Sequence, residues 1–140
     1  MTAKRSASSI AIAFAASLMI GVSFAPAANA STGNGVCSST EFCVFEDYGQ
    51  DKSKGFYDLG SPPDENFHGK SWYNGSGNIG DDISGWIAGS STSCTGYKVF
   101  VNVDFRGASL QIAKGTRGDF SGAFNGPFNN VISSYSKYGC

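Results

Sequence analysis

The chain has 140 residues, a formal charge of −1 at neutral pH, 14% aromatic residues and 19 glycines. Its Lys and Arg residues are scattered without a basic run, which excludes the electrostatic footprint of a nucleic-acid-binding protein. Glycine well above its usual share of about 7% breaks helices, and no window sustains apolar residues at i, i+3, i+4 and i+7, so a helical fold is excluded too.

Residues 1–30 read as a secretory signal peptide, with Lys4 and Arg5 as the positive start, an apolar stretch from Ile10 to Phe24, and Ala28-Asn29-Ala30 as a small-x-small cleavage site. The apolar run is interrupted by Ser17, Gly21 and Ser23 and stops at Pro26, too short for a membrane span of roughly 20 residues. Cleavage after Ala30 leaves one domain, 31–140, with eight basic and eleven acidic residues and a charge of −3. The expectation is a secreted, extracellular protein with no membrane or nucleic-acid partner, present as a monomer.

Short β-branched and aromatic runs between Gly/Asn/Asp/Ser clusters predict strands over 42–46, 55–59, 83–88, 97–103, 109–113 and 131–138. In the fourth run Tyr97, Val99, Val101 and Val103 are expected to face the core. In the last, Val131, Ser133, Tyr135 and Lys137 alternate with Ile132, Ser134, Ser136 and Tyr138. The stretch 60–78, with Pro62-Pro63 and charged residues, reads as an irregular connection.

Four cysteines in an exported chain argue for two disulfides and allow three connectivities. Cys37 and Cys43 flank a short polar turn leading into a strand, so they are expected to pair locally, which leaves Cys94 to Cys140. A redox or zinc site has little support, because there is no Cys-x-x-Cys and His68 is the only histidine.

The chain also reads as one unit made twice. Phe45, Gly55 and Asp81-Asp82-Ile83-Ser84 are echoed by Phe100, Gly107 and Asn129-Asn130-Val131-Ile132-Ser133-Ser134. Each half runs as hairpin, long connection, polar turn and strand, the order of a Greek key, and two such halves pack as a sandwich.

An aromatic residue, six intervening residues and a glycine, as from Phe100 to Gly107, followed by Asn-Asn-x-x-Ser-Ser at 129–134, resembles the βγ-crystallin Greek key. The first half departs from that pattern, with nine residues between Phe45 and Gly55 and with Gly80 and Gly85 in place of an Asx and a Ser. With Cys-x5-Cys opening the first strand and four cysteines in all, the chain is similar to the I36 family of peptidase inhibitors. The resemblance implies an all-β, disulfide-linked sandwich with Greek key A over about 37–90 and Greek key B over about 94–140.

It also implies a function, the inhibition of an extracellular metalloprotease. The reactive bond carries over to Cys94-Thr95, in a loop with Ser93 at the junction of the halves. Calcium is the one cofactor the resemblance admits, and none is required. Its side-chain ligands by position are Asp81, Asp82 and Ser84 in the first turn and Asn129, Asn130 and Ser133 in the second, each turn working with a carbonyl of the other half near Glu46 or Asn102. Calcium bound there is compatible with bracing the inhibitory loop.

The alternative is a calcium-binding module, killer-toxin-like or cell-wall-binding, with no protease target. Enzyme readings fare worse: His68 lacks a partner for a metal or a base, and nothing fixes Asp47 with Asp51, or Asp64 with Glu65, at a hydrolytic spacing. Trp72, Tyr73 and Trp86 are expected in the core and at its rim, and Asn74-Gly75-Ser76 matches a glycosylation acceptor.

Overall fold

The structure, a computed structural model, describes residues 32–140, so the expected signal peptide lies outside the described residues. The strands among the described residues are β1 (Phe42–Phe45), β2 (Phe56–Leu59), β3 (Gly85–Ala88), β4 (Gly96–Asn102), β5 (Arg106–Ala113), β6 (Arg117–Asp119) and β7 (Ser134–Tyr138), with a short α-helix, α1 (Gly122–Asn125), and single 3-10 turns at Lys52–Lys54 and Gly126–Phe128. They form two antiparallel sheets, ordered β2-β1-β3-β6 and β5-β4-β7.

β1 shows why the sheets pack as they do. All four of its residues are buried, since its two faces serve two clusters. Phe42 and Val44 enter the core between the sheets, where the Phe42 ring lies 5.2 Å from Tyr97 and 5.9 Å from Tyr135 across the interface. Cys43 and Phe45 face outward and are covered by Phe56, Tyr73, Ile87 and Cys37. The chain before β1 is held on that side by the buried Asp58, which accepts from the amides of Asn34 (2.8 Å) and Gly35 (2.9 Å).

Each half lends backbone to the sheet of the other. β6 pairs with β3, Gly85 opposite Asp119. In return Asp64 bridges Tyr135 of β7 through hydrogen bonds of 3.1 and 2.9 Å, and the Phe67 amide donates to the Ser133 carbonyl at 2.9 Å. The 60–78 stretch therefore supplies strand-like bridges within an otherwise irregular course.

β1 and β4 run toward the polar turns, and β3 and β7 run back from them. One end of the molecule thus carries both polar turns, and the other carries both disulfides, Cys37–Cys43 and Cys94–Cys140, paired as expected. Among the described residues no helix is long and apolar enough to cross a membrane.

Two expected strands begin later than the sequence suggested, at Gly85 instead of 83 and at Ser134 instead of 131. Asp81 (φ 60°) and Asn130 (φ 53°) adopt left-handed backbone, which Asx residues tolerate, and the chain re-enters the sheets only after Ser84 and Ser133 donate to the carbonyls of Phe45 (2.8 Å) and Phe100 (2.9 Å). Ile83 with Trp86, and Ile132 with Tyr135, then share one core at a spacing of three, where strict alternation would have put them on opposite faces. Tyr97 and Val99 are buried as expected, whereas Val101 and Val103 are only half-buried as β4 leaves the core. β6 and α1 are too short and too poor in apolar residues to show in the sequence.

Candidate functional site

The two ends offer two sites. At the disulfide end, residues 89–95 join the halves, and the chain holds them at several points. The Gly89 amide donates to the Glu41 carbonyl and the Ser91 amide to the Ser39 carbonyl, both at 2.8 Å. Gly89 is required by close approach: a Cβ there would run into the backbone carbonyls of Ser39 and Glu41. Thr92 and Cys94 are buried, and the Thr92 hydroxyl accepts from the Cys94 amide at 3.3 Å.

Thr95 is fixed as well. Its amide donates to the Tyr138 carbonyl (3.0 Å) and the Gly139 carbonyl (3.2 Å), and its own carbonyl accepts from the Lys114 amide (3.3 Å). Ser91, Ser93 and Thr95 are exposed between the buried Thr92 and Cys94, so the segment shows every second side chain to solvent. Of the expected inhibitory residues, Ser93 and Thr95 are therefore accessible, and Cys94 is an anchor. Beneath the segment lies the buried Glu41, whose Oε2 accepts from the Ser38 amide (2.7 Å) and whose Oε1 has no partner among the described residues.

At the opposite end the two polar turns lie side by side with matching bonds. The Asp81 amide donates to the Ile132 carbonyl (3.0 Å), and the Asn130 amide donates to the Ile83 carbonyl (3.1 Å). The Ser133 hydroxyl donates to Asp81 Oδ1 at 2.7 Å and also lies 3.1 Å from the Val101 carbonyl. The Ser84 hydroxyl donates to Asn130 Oδ1 at 3.1 Å. Each serine is thus met by the Asx residue of the other turn.

Four of the six expected ligands are brought together in this way, as the pairs Asp81 with Ser133 and Ser84 with Asn130. The other two are not. Asp82 turns its carboxylate to the Trp72 indole, which donates to Oδ2 at 3.1 Å, and Asn129 holds a buried Oδ1 that has no partner among the described residues. The carbonyl that meets Ser133 is that of Val101, next to Asn102 but in the same half as the second turn, where a carbonyl of the other half is expected; the Asn102 carbonyl accepts from the Ser134 hydroxyl at 2.6 Å. Among the described residues no group of three His, Cys, Asp or Glu side chains could hold a metal, and the oxygens that gather here are hydroxyl, amide and carbonyl oxygens beside the Asp81 carboxylate.

Glu46 stands near this end with its carboxyl pKa raised by desolvation and then by Asp82 and Asp47. His68 is exposed, its Nε2 3.9 Å from Asp81. The seven residues of β4 separate the two sites, about 20 Å at the strand rise, so the polar turns do not brace the segment at 89–95. No protein-family model, curated protein or solved structure matches the chain.

Proposed function

We propose that the protein is a secreted inhibitor of an extracellular metalloprotease, built as a βγ-crystallin-like pair of Greek keys and acting through residues 89–95. The exchange of β6 and of the Asp64 bridge between the sheets supports the Greek-key reading, since in each half a hairpin is followed by a crossing piece and a return strand. The observation that carries the function is the segment itself, anchored at Gly89, Ser91, Thr92, Cys94 and Thr95 while alternate side chains face outward.

A ligand already ordered in its bound shape loses little entropy on binding. Hydrolysis of the Cys94-Thr95 bond would release little, because the Cys94–Cys140 disulfide keeps the new carboxylate in place and the Tyr138 and Gly139 carbonyls hold the new Thr95 amine. The product stays bound and the enzyme stays blocked. The test is titration of thermolysin and a panel of secreted metalloproteases with the mature chain, 31–140. Stoichiometric inhibition is expected, and no inhibition by micromolar protein overturns the reading.

A second reading rests on the crossed Asx–Ser pairs. Asp81 Oδ1, Ser133 Oγ and the Val101 carbonyl form one set of hard oxygens, and Asn130 Oδ1 with Ser84 Oγ forms its counterpart. A calcium ion held there would make the chain a calcium-stabilised module. A ligand at a hundred times its Kd stabilises the folded state by about 2.7 kcal/mol. Melting should then occur several degrees higher with millimolar calcium than with chelator, and coincident melting curves would remove this reading.

A further inference from the structure

Apart from Glu41 and Asp58, which are buried, every Asp and Glu of the described residues lies in the half of the molecule that ends on the polar turns. The disulfide half carries Lys114, Arg117 and Lys137, with no exposed Asp or Glu among its described residues, whereas Lys98 leans its Nζ over the Phe100 ring toward the polar turns. The molecule is electrically polar along its strands.

The cations at the disulfide end are also placed. Lys114 Nζ donates to the Thr92 carbonyl at 3.2 Å, which fixes a positive charge against the segment at 89–95. Arg117 lines an open cleft of about 250 Å³ beside the same segment, together with Ser38, Ser39, Gly89, Ser90 and Thr116. Gly115 donates its amide to the Ala88 carbonyl at 2.9 Å, so the turn carrying both cations is tied to the start of the segment.

We infer that Lys114, Arg117 and this cleft form, with residues 89–95, one docking face that selects a protease with an acidic rim around its active-site cleft. The inference rests on the inhibitor reading and adds the partner's charge to it. A partner of that sign draws in the disulfide end and repels the carboxylate-rich end, so the protein arrives with its segment foremost. Rim charges of this kind act on the association rate and its salt dependence more than on dissociation.

The test measures association and inhibition with thermolysin and the same panel for the wild type, Arg117→Glu and Lys114→Glu/Arg117→Glu, with Lys52→Glu at the other end as control. Arg117→Glu keeps the test clear of the bond that Lys114 makes to the segment. For any protease the wild type inhibits, association of the wild type should slow as salt rises from 0.02 to 0.5 M. Arg117→Glu should associate about tenfold more slowly at low salt, the double variant more slowly still with little salt dependence left, and Lys52→Glu like the wild type. Unchanged rates and salt dependence in Arg117→Glu would overturn the inference and leave the inhibitor reading standing. A wild type that inhibits nothing in the panel overturns both.

Discussion

Glu46 sits where burial, Asp82 and Asp47 all push a carboxyl the same way, against a single backbone amide from Ser76. Its folded-state pKa lies above the ordinary 4.5, so the stability linked to it is whole below that value and is lost as pH rises through the folded one. Glu46→Gln should therefore melt higher than the wild type at neutral pH and equally at about pH 4. A melting difference independent of pH would contradict that origin. Tyr97 shows the same sign in the alkaline range: burial pushes its phenol up to about 12, while its hydroxyl donates to the carbonyls of Thr40 and Gly89. An absorbance titration should find Tyr97, and Tyr135 which burial raises further still, ionising only as the protein unfolds, with the stability linked to Tyr97 lost as pH climbs from about 10 through 12. Gly89→Ala should cost about 1–3 kcal/mol in a denaturant melt, because the carbonyls it would strike belong to backbone that cannot swing aside.

At the scale of elements, the disulfides separate two kinds of support. Cys94–Cys140 closes a loop of 46 residues and should contribute about 4 kcal/mol, against about 2 for the loop of 6 closed by Cys37–Cys43. Replacing Cys94 and Cys140 by Ser should lower stability accordingly and open residues 93–95 to nonspecific proteolysis, whereas a variant that resists digestion as the wild type does would show that hydrogen bonds alone hold the segment. Much of this architecture was legible. The Val/Phe/Tyr alternation of β4, the paired cysteines and the repeated polar turns all carry a local signature. β6 carried none, because Arg117-Gly118-Asp119 is a strand only through its pairing with β3. The crossed contacts between the turns were equally hidden, since the residues that meet are about fifty apart: nothing local to Ser133 announces Asp81 as its partner, or to Ser84 announces Asn130.

At the scale of the whole molecule, strand direction puts the polar turns and the segment between the halves at opposite poles. The same arrangement segregates charge. Cation binding at one pole should therefore raise the melting temperature and leave inhibition by the other nearly untouched. Measuring inhibition with calcium and with chelator, well below the melting point, checks this, and a large calcium effect on affinity would contradict the separation. The central claim, that a braced segment between the halves meets a protease, is tested most directly by hydrogen–deuterium exchange of the protein bound to an inhibited metalloprotease. New protection is expected to be confined to 89–95 and 114–117, with 79–84 and 129–133 exchanging as in the free protein. Protection at the polar turns, with 89–95 unchanged, would contradict it.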